Sequence, residues 1–246
     1  MSEKPPSAVI RRRRLIAACA AVCALLLVAA GVLWAAVARG AGPGDAEAEP
    51  EQLAAPSASA PTGLSTHAAD GVPEKGSGRW AALGETKRAN AQGRAFPVFI
   101  RVEDGLPIDA QEAASFIMTT LQDRRGWQRL DHVAFAQVSS QSKAKVTINI
   151  AAPSTVDRLC APATTDGELS CRNGDNVVFN ARRWLAATPE FDSLAQYRTY
   201  LVSHEVGHAL GHGHEKCPGR GRLAPVMQQQ SISLQGCRAN GWPAQR

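Results

Sequence analysis

Aromatic residues are scarce in this chain. Six Phe, five Trp and two Tyr stand among 246 residues, along with three Met. Twelve of the thirteen aromatics follow residue 78, so a packed core is expected in residues 79–246, a length that can bury one. Glycine shows no period and 44% of the residues are apolar, which excludes a collagen-like or wholly disordered chain. No internal repeat is visible, which excludes solenoids and propellers. Dense basic tracts are missing apart from Arg11–Arg14. The other Lys and Arg residues are scattered singly or in pairs, as on a solvated surface, so nucleic acid is excluded as a partner despite a pI of about 9.1.

What is present is charge in three blocks: net +5 over residues 1–39, −5 over 40–78 and +5 over 79–246. Leu15–Ala38 is a stretch of 24 residues without a charge. As a helix rising 1.5 Å per residue it is long enough to cross a hydrocarbon layer about 30 Å thick. The heavier positive flank should stay in the cytoplasm, leaving the rest of the chain outside. The run exceeds the apolar core of a signal peptide, so an uncleaved anchor is preferred, although Ala36-Val37-Ala38 fits a cleavage pattern. Ile16-Ala17-Ala18-Cys19 has the outline of a lipobox, but it lies too close to Arg14 to leave room for an apolar stretch. Cys19 and Cys23 share a helix face and read as membrane packing. In residues 40–78, 25 of 39 positions are Ala, Gly, Pro or Ser; such a segment cannot bury enough surface to offset chain entropy. The expected organisation is a basic tail at 1–14, a transmembrane helix at 15–38, a flexible acidic linker at 39–78 and an extracytoplasmic domain at 79–246.

That domain reads as α+β. Phe96–Val102 is an apolar run suited to a strand. Asp109 and Glu112 form a capping box for a helix running to about Arg125, with Ala113, Phe116, Ile117 and Leu121 as its buried stripe. Val133–Val138 and Lys145–Ile150 alternate like strands, and Asn176–Asn180 is a further short strand. Between them lies a loop with two Cys. Ser193 and Gln196 open a second helix that should end at Gly211, and an irregular tail follows. Cys160, Cys171, Cys217 and Cys237 make an even count outside the membrane and read as disulfides. Three pairings are possible; the sequential one, Cys160–Cys171 with Cys217–Cys237, is preferred because each loop is local. Their spacings do not resemble zinc knuckles.

The chemistry concentrates in residues 204–214, His-Glu-Val-Gly-His-Ala-Leu-Gly-His-Gly-His, which hold four of the six histidines. On a helix His204 and His208 lie one turn and about 40° apart, so both rings can reach one ion. Ala195, Thr199, Val202, Val206 and Ala209 form a different, core-facing stripe. Glu205 lies about 60° from His208, within reach of a metal-held water. A continuing helix would carry His212 about 12 Å up the axis from His204, too far for one ion with ligands at 2.0–2.1 Å. A turn at Gly211 lets the chain double back, because glycine accepts a positive φ at a helix end. His214 is then the preferred third ligand, and His212 a bystander or surface residue. Imidazole ligands favour Zn²⁺.

Residues 204–214 resemble the zinc-binding signature of the metzincin metallopeptidases. The resemblance implies a zincin-like domain with a small mixed sheet, a backing helix and an active-site helix. It also implies a methionine turn beneath the metal, for which Met227 in Ala224-Pro225-Val226-Met227 is the candidate. Cys171-Arg172-Asn173-Gly174-Asp175, Asn180-Ala181-Arg182-Arg183-Trp184 and Ala224–Gln230 further resemble the actinobacterial family called domain of unknown function 3152. Some metzincins place an oxyanion-stabilising Tyr two residues after the Met, where this chain has Gln229. Glu215 reads as a surface carboxylate, and with no Cys in the tether a cysteine-switch propeptide is not apparent.

The expectation is a membrane-anchored zinc peptidase. His204, His208 and His214 hold one Zn²⁺, and Glu205 takes the proton of a zinc-held water and passes it to the leaving amine. The substrate is a peptide or protein, held by strand addition at Val177–Phe179 or another sheet edge. Two alternatives are a zinc hydrolase of cell-wall peptides and a non-catalytic zinc-stabilised binding domain at the cell surface.

Overall fold

The protein is described from a computed structural model, over residues 69–245. Leu15–Ala38 and the linker as far as residue 68 lie outside the described residues. Among the described residues no helix is long and apolar enough to cross a membrane.

Six strands form one mixed sheet: β1 (Trp80–Ala82), β2 (Arg94–Glu103), β3 (Val133–Gln137), β4 (Val146–Ala151), β5 (Cys171–Asn173) and β6 (Asn176–Asn180). Five α-helices accompany them among the described residues: α1 (Ala110–Leu121), α2 (Trp127–Leu130), α3 (Pro153–Cys160), α4 (Ala181–Leu185) and α5 (Leu194–Leu210). The ten-residue β2 is the organising strand. Along one edge its first half pairs parallel with β3 and its second half antiparallel with β1. Its other edge pairs parallel with β4, β4 pairs parallel with β6, and β6 pairs antiparallel with β5 at the edge of the sheet.

β4 is buried at every position, as expected of a parallel strand covered on both faces. On one face α1, α4 and α5 pack on the sheet through Val98, Ile100, Ile117, Ile148, Phe179, Trp184, Val202 and Val206. On the other face α3 covers Ala151 and Val178 through Val156 and Cys160. Disulfides join Cys160 to Cys171 and Cys217 to Cys237, with Cα atoms 6.1 and 5.8 Å apart. The first ties α3 to the edge strand β5; the second closes the irregular tail.

Several elements differ from the sequence expectation. α1 starts at the predicted cap, where Asp109 Oδ1 accepts from the Glu112 backbone N–H (2.7 Å), but it ends at Leu121 rather than Arg125. The Gln122 side chain donates to the carbonyls of Arg88 and Phe135 (both 2.9 Å), so a tertiary anchor ends the helix before Gly126. α3 falls where a loop was expected; Pro153 at its first position sets the helical φ. Its N-terminus is held from outside by buried Glu103, which accepts from the Ala152 N–H and the Thr155 hydroxyl (both 2.9 Å). The fold also begins before residue 79. Val72 sits in the core, Gly78 donates to Glu103 (2.9 Å) and Glu74 pairs with Arg182 (2.8 Å).

Candidate metal centre

α5 carries the centre. Its N-terminus is capped as expected: Ser193 Oγ accepts from the Gln196 N–H (3.1 Å), and Gln196 Oε1 accepts from the Asp192 N–H (3.0 Å). The amphipathic expectation does not hold. Ala195 is exposed, whereas every residue from Tyr200 through Gly207, His204 and Glu205 included, is buried. The helix runs through the interior, so a stripe drawn from apolar residues alone misses the polar ones that packing encloses. Buried Gly207 lets two neighbours approach. A Cβ there would lie 2.5 Å from Met227 Sδ and 3.0 Å from Trp127 Cζ2.

The helix ends at Gly211, in the left-handed region with φ 104°. The Gly211 N–H donates to the His208 carbonyl (3.1 Å) and the His212 N–H to the Gly207 carbonyl (3.0 Å), the paired bonds of a Schellman turn. This reversal brings His214 back over the helix. His212 is no bystander. Its ring stacks on Trp127 (centroids 4.1 Å, interplanar 16°), its Nε2 meets Asp131 Oδ2 at 2.8 Å, and its carbonyl receives His208 Nδ1 at 2.9 Å. Trp127 in turn donates its indole N–H to the Ser203 carbonyl (2.8 Å). Sequence offered no signal for Trp127 or Asp131, which are brought to the turn only by the tertiary fold.

Met227 lies fully buried against Gly207, in a turn whose carbonyls serve the centre. The Val226 carbonyl receives His204 Nδ1 (2.8 Å), and the Met227 carbonyl accepts from the Glu215 N–H (3.0 Å). One turn therefore fixes the first histidine ring and the backbone beyond the third. Tyr200 holds this segment to the helix: its hydroxyl donates to the Gln228 carbonyl (3.1 Å) and accepts from the Gln230 N–H (2.9 Å). The Tyr197 hydroxyl pairs with Ser231 Oγ at 2.9 Å.

The three histidine rings converge. His204 Nε2 and His208 Nε2 are 3.2 Å apart, and His208 Nε2 and His214 Nε2 3.1 Å. A carbonyl can only accept, so Nδ1 of His204 and of His208 carries the proton and each Nε2 presents a lone pair. Burial pushes the His204 imidazole down to about 3, against the opposing Val226 hydrogen bond. Burial also lowers His208 and His214, so the rings are neutral at pH 7. Facing lone pairs repel one another unless a cation lies between them. Nitrogens on a tetrahedral ion at 2.0–2.1 Å stand about 3.3 Å apart, close to the spacings here. The donor set therefore fits a metal ion, and His204, His208 and His214 could hold one.

Glu205 is enclosed beside them and, among the described residues, its carboxylate has no hydrogen-bond or ion-pair partner. Burial pushes its carboxyl up to about 8. The centre opens on a cleft of about 390 Å³. It is lined by Tyr200, Leu201, His204, Glu205 and His208 of α5, by residues 163–165 and 169–172, and by Gln229, Ser231 and Ile232. β6 cannot take a substrate strand, because β4 and β5 occupy both its edges. The expectation at Val177–Phe179 is corrected on this point; the free edge belongs to β5, whose Cys171 and Arg172 line the cleft.

Fold and site together define an α+β domain with a three-imidazole centre open to a cleft. Residues 66–242 match the family described as Protein of unknown function (DUF3152), and the chain belongs to that family. Comparison with curated proteins and with solved structures finds no match.

Proposed function

We propose that this chain is a membrane-anchored, extracytoplasmic zinc-dependent peptidase of metzincin type. The observation that carries the reading is the convergence of three neutral imidazoles beside a buried, unpartnered carboxyl group at the floor of an open cleft. A buried carboxylate without partners is costly, and a purely structural metal site has no use for one. An ion held by His204, His208 and His214, zinc by ligand type, supplies Lewis acidity that polarises a carbonyl and makes water acidic near neutral pH. The charge of a held ion would favour the ionised form of Glu205 against the burial that raises its carboxyl, and Glu205 would then accept a proton from the attacking water and give it to the leaving amine. The new C–O bond forms first, the C–N bond breaks once the amine has received the proton, and one water is consumed. The anchor reading rests on Leu15–Ala38 and its arginine flank; the two disulfides support an oxidising compartment.

A second reading, a metal-stabilised binding domain without catalysis, is favoured by one observation. Both tyrosines are engaged elsewhere, Tyr200 on the Met227 turn and Tyr197 on Ser231, and Gln229 stands where a phenol would assist the oxyanion.

The test is mass spectrometry of a mixed peptide library incubated with the purified, zinc-loaded full chain and with its Glu205→Ala variant. Cleavage by the wild type that disappears in the variant, with the metal retained in both, is expected. A folded, zinc-loaded wild type that cuts neither peptides nor muropeptides would leave the binding-domain reading in its place.

A further inference from the structure

The cleft wall carries a charge that the reaction just proposed does not use. Arg172 lies at the centre of edge strand β5, opposite Val177 of β6, with its side chain exposed on the cleft. Among the described residues the other arginines of this region are engaged. Arg182 pairs with Glu74 (2.8 Å) and Arg183 with Glu168 (2.7 Å), and Arg198 donates to the Trp184 carbonyl (2.7 Å). Among the described residues the Arg172 side chain has neither an ion pair nor a hydrogen-bond partner. Among the described residues it is also the one Lys or Arg lining the cleft, and Glu205 is the one acidic residue there.

A guanidinium is a planar fork that matches a carboxylate with two parallel hydrogen bonds. Among the described residues it has no carboxylate partner, and Thr164, Ser231 and Gln229, which line the same cleft, carry no charge to compensate it. Its position on β5 places it on the cleft that His204, His208 and His214 also line. A ligand lying against β5 would meet this cation beside the reacting centre.

We propose that Arg172 is the specificity-determining residue of this cleft and selects ligands that carry a carboxylate next to the bond presented to the histidines. The class is acidic peptides. The carboxylate is an Asp or Glu side chain or the α-carboxylate of a C-terminal residue; both offer the same fork. This deepens the peptidase reading and rests on it for the word substrate, but the recognition itself is a binding property.

The experiment measures binding rather than turnover. Fluorescent peptides are titrated into the zinc-loaded full chain carrying Glu205→Gln, which blocks cleavage. One pair differs by Glu against Gln inside the peptide, and a second by a free against an amidated C-terminus. A charge-assisted pair contributes enough to give a preference of about tenfold or more for the acid of at least one pair. Arg172→Gln should abolish that preference, Arg172→Lys should keep part of it, and zinc content should be unchanged in both. Whichever pair shows the preference identifies the source of the carboxylate.

Equal binding of acid and amide in both pairs, or no binding of any acidic peptide, overturns the assignment. So does a preference that survives Arg172→Gln, since the metal centre would then be its origin. Wild-type cleavage of the same peptides separates the two readings. Cleavage without acid preference removes the role of Arg172 and leaves the peptidase. An Arg172-dependent preference without cleavage removes the peptidase and leaves the site.

Discussion

At the scale of single residues, three side chains separate chemistry from support. Glu205→Gln should keep the metal and fold and lower peptide cleavage at least a hundredfold, the usual loss when a general base is removed; metal analysis alongside turnover checks both halves. Gly207→Ala is a sharper test of packing. Alanine is the better helix former by about 1 kcal/mol, yet its Cβ would fall on Met227 Sδ and Trp127, and overpacking costs about 1–3 kcal/mol. The variant should therefore melt lower and bind zinc more weakly, and a raised melting temperature with unchanged affinity would refute the close approach. His212→Ala removes the Trp127 stack and the Asp131 contact but leaves the carbonyl that holds His208. It should lower stability by about 1 kcal/mol and retain zinc, whereas His214→Ala should lose it. Residues 204–214 made the three convergent histidines legible because helix geometry relates positions four apart and glycine permits the reversal. The role of His212 was not legible, since it depends on Trp127 and Asp131, some eighty positions away in the chain.

At the scale of elements, α5 is a rod whose two ends do different work. Ser193 caps an end remote from the histidines, and Ser193→Ala should cost about 1 kcal/mol without changing zinc affinity. Gly211 shapes the other end at φ 104°, where a side chain is strained. Gly211→Ala should shift His212 and His214 and weaken zinc binding at least tenfold, as titration against a chromophoric chelator would read. Strands β2, β3, β4 and β6 were visible in the sequence as apolar runs close to their observed bounds. The short strands β1 and β5 were not, because three-residue strands carry no period of their own and owe their conformation to the neighbours they pair with. Helix α3 was hidden for a related reason: its N-terminus is completed by Glu103 from β2, a partner some fifty residues earlier.

At the scale of the whole molecule, the two disulfides brace different parts of one site. Cys160–Cys171 borders the cleft wall that contains Arg172, and Cys217–Cys237 encloses the segment carrying Val226 and Met227. Closing a loop of twenty residues is worth about 3 kcal/mol. Replacing Cys217 and Cys237 by Ser should therefore lower the melting temperature and the zinc affinity together, because the turn that fixes His204 loses its tether. On the proposed reading, the charge blocks, the apolar run Leu15–Ala38 and the domain beyond them belong to an enzyme held at a surface and facing outward. The reading stands or falls on a metal centre that is open rather than closed. X-ray absorption at the zinc edge of the full chain, loaded with one equivalent of metal, tests this most directly. Three imidazole nitrogens at about 2.0–2.1 Å plus one oxygen ligand, with one nitrogen lost in His214→Ala, is the predicted spectrum. A site closed by four protein ligands, or one unchanged when His204, His208 and His214 are replaced, would contradict it.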